Sequence, residues 1–405
     1  MNFNRVISDI IDEGYFGNVT YIDLQPDKDV NISAQFASSL RFFSLTVKEK
    51  EKKEVFSIVV KLPCIDPTPR EARNCNVMFD NEVNMYKDIL PSLGVDKKMY
   101  PKMFYGISNS STNPNRDLLI LENMKSQNYV PSSHKIFLDF DHISLVIKKL
   151  AAFHSLSYIF KNRDRNGFYR IKDKLKEVVL PTSVQNRLEV IHFATMERGI
   201  KPLLPLYDNL KKVLKLLQSP YKIRKMISYP EEPYPVICHG DFCNNNILYK
   251  YDGSGIPVDC AFLDFQLSQY SSPAIDLFFF LYMHTTSSFR ERYWDVVLEM
   301  YWINLKNSLP SDVMIPGFDD YMKHFGKRAL YGYMICSWFL PSIMDHHPVT
   351  KSDYADLSLE EKVARFVTIA GEEGEKVICE VVSHLLSKNY IDDLIEFYEE
   401  KYKLD

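Results

Sequence analysis

The feature that most constrains this 405-residue chain is a change of hydrophobic period near residue 122. Before it, apolar residues alternate or run in short β-favouring stretches, the mark of half-buried and buried strands. Val19–Leu24 alternates weakly, Phe36–Val47 is longer, and Val55–Lys61 reads as a buried strand ended by Pro63. Two more strands are expected near Met103 and at Leu118–Leu121. The charged run Lys48–Glu54 between two of them reads as a solvated hairpin tip. A single helical spacing, Met78, Val83, Tyr86 and Leu90, breaks the β pattern and is expected to stop at Pro91.

After Glu122 the period becomes that of helices. Ile143–Phe160 is a long amphipathic pattern, followed by helical patterns around Leu188–Thr195, Leu203–Leu217, Tyr293–Leu309, Tyr321–Leu340, Val377–Leu386 and Ile391–Tyr402. One β-like island interrupts them, from Tyr234 to about Gln266, with a turn at Asp252–Gly255 between strands at Ile247–Tyr249 and Cys260–Leu263. The expected organisation is therefore a β-rich lobe over residues 1–121, a hinge over 122–128, and a mostly helical lobe over 129–405 with a small hairpin embedded in it.

Composition narrows the function classes. Lys plus Arg is 49 against 53 Asp plus Glu, a net charge of −4, so bulk nucleic-acid binding through a basic face is not expected. The most apolar run, Ala274–Met283, already contains Asp276 and is about half the roughly 20 residues of a membrane span, so no span is expected. The first residues alternate apolar groups (Phe3, Val6, Ile7, Ile10, Ile11) with acids, unlike a secretion signal. Seven cysteines without a CxxC pair read as reduced thiols, and the location expected is cytoplasmic. The sequons at Asn18, Asn31 and Asn109 then read as chance matches, and Lys403–Asp405 matches no address signal.

The chemistry sits in the β island. Val236-Ile-Cys-His239-Gly240-Asp241-Phe-Cys-Asn-Asn-Asn246 leads into one strand, and Phe262-Leu-Asp264-Phe-Gln266 ends the next. A hairpin brings its two ends together, so Asp241, Asn246 and Asp264 can converge. Oxygen ligands of this kind suit Mg²⁺. Asp241 in a loop can accept a proton from a hydroxyl, while Asn246 and Asp264 can hold the metal on nucleotide phosphates, which is the kit of phosphoryl transfer. Lys61, ending an apolar strand, can project an ammonium toward phosphates, and Glu82 in the following helix can pair with it. Leu121-Glu122-Asn123-Met124 can serve as a hinge whose backbone holds an adenine.

Each residue also has a bland reading: a turn tripeptide for His239–Asp241, a strand-end lysine, an exposed helix glutamate, a turn aspartate. It is the order of all of them along the chain that favours function. His239 reads as a loop-holding residue, His154 as a structural helix histidine, and Asp276 as an acceptor of hydrogen bonds from the catalytic loop. Cys238 and Cys243 lack further ligands at zinc spacing. No GxxxxGK[ST] occurs, so P-loop chemistry is excluded. The aromatic groups Phe278–Phe280 and Trp338-Phe339 read as core rather than as a substrate pocket.

These residues resemble a known family. The set is similar to the protein-kinase-like fold in its small-molecule form, as in choline kinases and aminoglycoside phosphotransferases, and most fully to the ecdysteroid-kinase-like (CHK-kinase-like) family. The likeness is carried by Cys238–Asp259 and Phe262–Leu277, by Val59-Val-Lys61-Leu-Pro, by Phe79-x-x-Glu82-x-x-x-Tyr86-x-x-x-Leu-Pro91, by Leu150-Ala-Ala-Phe-His154 and by Arg328-Ala-Leu-Tyr-Gly332. It runs from about residue 33 to 345.

The resemblance implies an α+β, bilobal protein-kinase-like fold with a small antiparallel β-rich N-lobe. It implies an ATP- and Mg²⁺-dependent kinase acting on a hydroxyl of a small lipophilic alcohol, such as an ecdysteroid or a xenobiotic, with no protein partner. In that reading Asp241 is the base, Asn246 and Asp264 are metal ligands, Lys61 holds phosphates, and Glu82 pairs with it. The nucleotide-covering loop falls at Ser33–Leu40, where small residues stand but no glycine. Pro273–Asp276 follows Gln266 within ten residues, leaving no room for a protein-kinase activation loop. The alternative is a catalytically silent member that binds a lipophile or a nucleotide.

Overall fold

In the computed structural model, residues 2–27, 38–64, 66–108, 117–345 and 357–402 are described. Asn31, Asn109, Lys403–Asp405 and residues 33–37 of the expected nucleotide-covering loop lie outside them. The chain forms two compact units. One comprises Met1–Pro131, Asn166–Pro181 and Asn245–Ser268; the other comprises Ser132–Arg165, Thr182–Asn244 and Gln269–Asp405. The chain has the α+β, bilobal kinase-like class: an antiparallel sheet from the N-terminal region and a mostly helical C-terminal region.

The first unit is built on strands β1 (Thr20–Pro26), β2 (Ser38–Glu49), β3 (Lys52–Pro63), β4 (Met103–Ile107) and β5 (Leu118–Glu122). They form one antiparallel sheet in the order β1-β2-β3-β5-β4. The charged run turns between β2 and β3, with Lys50 in the left-handed region at φ 53°. Side chains alternate along β3, so Ile58 and Val60 face one side and Lys61 the other. The Ile58 side is sealed by the N-terminal helix Phe3–Asp12, whose Ile7, Ile10 and Ile11 join Leu45, Val47, Val60 and Ile120 in one buried cluster. That helix exists because Asn2 caps it, its side chain accepting from the Arg5 N–H, and because its apolar residues fall on one face.

The helix of the first unit does not stop at Pro91. Cys75–Asn84 passes into a π-helical turn, Met85–Ile89, and then a short helical turn, Leu90–Leu93, before Gly94 ends it at φ 76°. Pro91 falls directly after the π turn, whose wider bonding is seen in the Leu90 N–H donating to the Met85 carbonyl. The hairpin of β7 (Ile247–Tyr251) and β8 (Pro257–Phe262) also belongs to this unit. A bridge between Val130 and Tyr249 and the bond from the Phe262 N–H to the Met99 carbonyl (2.8 Å) attach it.

The second unit is organised around two helices. Phe140–Arg163 is long and apolar enough to cross a membrane by length and composition, but two thirds of its apolar window (67%) is buried inside the protein, where it packs on the helix Ser287–Asn307. Ala274–His284 is buried at every position, which accounts for its apolar sequence. Phe278–Phe280 are therefore core, as their pattern suggested, whereas Trp338 and Phe339 are half-buried. A short sheet of β6 (Val236–Cys238) and β9 (Gln269–Ser271) lies in the same unit. The pattern read over Tyr321–Leu340 is two helices, Phe318–Gly326 and Leu330–Met344, with the break at Lys327–Ala329. There the buried Arg328 turns its guanidinium to Glu231 at 2.6 Å.

Gly332 sets the approach of Leu330–Met344 to the buried helix. A Cβ at this position would lie 2.6 Å from Tyr282 Cδ2 and 2.8 Å from the Phe278 carbonyl carbon, and the latter is backbone that cannot rotate away. Gly332→Ala should therefore lower the unfolding free energy by about 1–3 kcal/mol, the cost of overpacking. Chemical denaturation checks this, and an unchanged midpoint would contradict the packing described.

Candidate active site

Lys61 is buried, and that requires an explanation, because an ammonium in a protein interior needs charge partners. It has two. Its Nζ lies 2.9 Å from Glu82 Oε1 and 2.7 Å from Oε2, and 2.8 Å from Asp264 Oδ1. Three separate pieces of the sheet unit supply the triangle: β3, the helix Cys75–Asn84, and the residue two past β8. Burial opposes the ammonium, but Asp264 and then Glu82 outweigh it and hold Lys61 above its ordinary range. Burial acts on Glu82 in the other direction. It pushes that carboxyl up to about 7, with Lys61 resisting and Asp264 adding to the rise.

Asp264 reaches the lysine through an unusual backbone. It sits in the left-handed region at φ 63°, ψ 63°, a conformation that aspartate tolerates better than most side chains. Such outliers persist where the surroundings fix them. Here the Leu263 N–H donates to the Asn246 carbonyl at 2.8 Å, so the residue before Asp264 is tied to Asn246. Pairing of Ile247 with Phe262 continues that tie into the hairpin. The hairpin thus brings Asn246 and Asp264 to one end. Asn246 is 8% exposed and Asp264 is mostly buried. Their donors are one amide and one carboxylate, both hard oxygens, a set that fits Mg²⁺.

Glu82 is held by a segment that the sequence reading passed over. Asn81 makes a two-way amide contact with Lys176, its Nδ2 donating to the carbonyl at 2.8 Å and its Oδ1 accepting from the N–H at 2.9 Å. Asn84 donates to the Lys174 carbonyl, and Lys174 and Lys176 pair with Asp88 and Asp80. The π turn after Glu82 carries Tyr86, whose ring stands edge-on to Phe265 at 5.5 Å, next to Asp264.

The expected hinge follows β5. The Asn123 N–H donates to the Ser57 carbonyl at 2.9 Å, and its side chain accepts from the Lys125 N–H at 3.1 Å, which opens a 3₁₀ turn over Met124–Gln127. Met124 is buried with Tyr129 and Ala261, and its carbonyl accepts from the Tyr129 N–H. The Glu122 side chain is occupied locally, accepting from Gln127 Nε2 at 2.8 Å. What Glu122 and Met124 can offer a ligand is therefore backbone.

Asp241 lies in the helical unit, in the loop that leaves β6. That loop is shaped by Asp276 in the first turn of the buried helix. Its Oδ2 accepts from the His239 N–H at 2.7 Å and its Oδ1 from the Gly240 N–H at 2.9 Å. His154 Nε2 lies 3.2 Å from the same carboxylate, and its Nδ1 meets Tyr301 Oη at 2.8 Å. Gly240 needs its lack of a Cβ, since the turn places it at φ 84°. The His239 ring accepts from the Asp241 N–H at 3.3 Å. Cys238 donates to the carbonyls of Ser271 and Ser272, and burial pushes its thiol up, so it behaves as a core group. Asp241 itself is half-buried at the end of this assembly. Arg224 and Tyr331, with the guanidinium 5.8 Å from the ring, both feel its charge. Tyr331 lay within the Arg328–Gly332 phrase; nothing in the sequence marked Arg224.

Asp276→Ala removes the acceptor of two buried loop N–H groups and of His154. It should cost about 2–5 kcal/mol by denaturation, and Asp276→Asn, which keeps one acceptor oxygen, should cost less. Equal losses would contradict the acceptor role. Glu82 gives a pH signature. Its folded pKa is raised, so its stabilising contribution is complete below pH 4.5 and disappears as pH rises through about 7. Wild type should lose unfolding free energy across that window relative to Glu82→Gln, and parallel pH profiles would contradict the burial effect.

The profile of the ecdysteroid kinase-like family matches residues 33–311, more than half of the chain. No curated protein matches it. The chain belongs to the ecdysteroid kinase-like family, and that membership points to a kinase-like small-molecule phosphotransferase.

Proposed function

We propose that this member of the ecdysteroid kinase-like family transfers the γ-phosphoryl group of ATP to a hydroxyl of a small lipophilic alcohol, of which an ecdysteroid or a hydroxylated xenobiotic is the type. The observation that carries the reading is the buried Lys61–Glu82–Asp264 triangle. A buried cation fixed by two carboxylates is costly as mere architecture and useful as a preset phosphate clamp.

In this mechanism Lys61 binds phosphate oxygens, and Glu82 keeps its ammonium aimed. Asn246 and Asp264 hold Mg²⁺, which when bound neutralises charge on the transferring phosphates. Backbone groups at Glu122 and Met124 receive the adenine. Asp241 accepts the proton of the acceptor hydroxyl as that oxygen bonds to the γ-phosphorus and the bond from that phosphorus to the β,γ-bridging oxygen breaks, releasing ADP. Asp276 and His239 act through the loop, by holding Asp241 in place.

The lipophilic character of the acceptor is supported by the half-buried aromatic stack of the helical unit. His192 lies over Trp338 at 5.9 Å, and Trp338 over Phe339 at 5.2 Å. Burial and the Arg224 charge lower His192 to about 4, so this stack presents a neutral face at physiological pH. All seven cysteines are free, and five are buried, which supports a reducing, cytoplasmic setting.

The test is incubation of the purified chain with Mg·ATP and a panel of hydroxylated lipophiles, ecdysteroids included, read by mass spectrometry. The expected result is a product with one added phosphoryl group. Asp241→Asn should cut its formation about a hundredfold or more while leaving ATP affinity largely unchanged. An active Asp241→Asn enzyme would refute the assignment of the base. ATP binding with no product from any acceptor would favour a silent binding protein.

A further inference from the structure

The helix Phe140–Arg163 begins with an ordinary cap. The Asp139 Oδ1 accepts from the His142 N–H at 2.9 Å. The two oxygens of that carboxylate also face two different imidazoles. Oδ1 lies 2.7 Å from His142 Nδ1, and Oδ2 lies 3.3 Å from His134 Nε2. The two rings stand edge-to-face at 5.0 Å. One donor atom from each of the three residues falls within 4.8 Å of the others. Capping accounts for Asp139 and for the buried His142. It does not account for His134, which lies five residues upstream, is 39% exposed, and turns back to the same carboxylate.

Two imidazoles and a carboxylate are the ligand set of open zinc sites, in which a water completes the tetrahedron. One donor from each residue lies within 4.8 Å of the others, within reach of such a centre. Bonds of about 2.0–2.1 Å in a tetrahedron place neighbouring donors about 3.3 Å apart. His134 Nε2 is already at that spacing from Oδ2, while His142 Nδ1 lies 2.7 Å from the other oxygen, so the carboxylate must turn or bind through both oxygens to serve one ion. Imidazole donors also select against Mg²⁺, which prefers oxygen, so this set is chemically separate from the Asn246–Asp264 pair.

The segment that would be closed is bonded to the catalytic loop of the same unit. The His134 carbonyl accepts from Asn244 Nδ2 at 3.1 Å. The Leu138 N–H donates to the His284 carbonyl at 2.9 Å, and the Ile136 carbonyl lies 2.7 Å from His284 Nδ1. His284 Nε2 in turn accepts from the Asn244 N–H at 2.8 Å. Asn244 is three residues from Asp241 in the chain.

We propose that His134, Asp139 and His142 form a binding site for Zn²⁺ or a similar first-row divalent cation, which clamps the 134–139 segment onto the Asn244 end of the Asp241 loop. The site stands independently of the phosphotransfer reading, because it rests on none of the residues given roles there.

The test uses the full chain, stripped by a chelator and titrated with ZnCl₂ by calorimetry, followed by thermal unfolding and hydrogen exchange. Wild type should take up one equivalent, with a raised Tm and slower exchange over residues 134–139 and at Asn244. His134→Ala removes an exposed ligand and spares folding. Asp139→Asn keeps a capping oxygen. Each should weaken uptake by at least about tenfold, as loss of a ligand or its support does at known sites, and remove the Tm rise. No uptake by wild type, or undiminished uptake by either variant, would overturn the proposal. Uptake without protection of 134–139 would overturn the clamp.

Discussion

The buried Lys61 ammonium is the constraint on which the rest of the sheet unit depends. Desolvating a charge costs several kcal/mol even after relaxation, and only well-placed opposite charges offset it. The chain meets that requirement with Glu82 from a helix and Asp264 from beyond a hairpin 203 residues downstream. The strand, helix and hairpin must therefore all be in register before the lysine is tolerated. The cluster ties the unit together in this way, although a hydrophobic trio of equal volume would serve stability as well or better. Its persistence in that form is the physical argument for function.

The helical unit repeats the logic with one carboxylate and no lysine. Asp276 is as buried as Lys61, and it is satisfied by two backbone N–H groups and an imidazole. Its helix is apolar at every other position except the terminal His284, so the carboxylate is a deliberate polar point in a dry wall. From it the chain of contacts runs through His239 and Gly240 to Asp241. His284, at the other end of the same helix, fixes Asn244. One helix thus sets both ends of the short loop that carries the proposed base.

Much of this was legible in the sequence because it follows from local rules. The hairpin, the strand that carries Lys61, and the helical position of Glu82 come from hydrophobic period and turn residues. The Lys–Glu pairing follows from their order along the chain. What was not legible depends on tertiary context. Asp264 takes a left-handed backbone directly after a residue tied to Asn246, a pairing that no local pattern encodes. Asn81 reads as an ordinary helix residue until Lys176 is folded against it. Pro91 signals a helix stop, but the π turn before it resets the hydrogen-bond ladder and lets the helix run on to Gly94. The break at Lys327–Ala329 is hidden because apolar spacing continues across it, and the Arg328–Glu231 contact made at that break joins residues 97 apart.

The central claim is that the Lys61 triangle is a nucleotide-phosphate and metal site already in place. Equilibrium titration of Mg·ATP against wild type and Asp264→Asn tests it most directly. Asparagine keeps the size of the side chain and removes the charge shared by the metal and Lys61. The account predicts measurable binding to wild type and at least about a tenfold weaker affinity in the variant, the size of effect seen when an interaction with a charged group of about 1.4 kcal/mol or more is lost. Equal affinities, with both proteins folded, would contradict it.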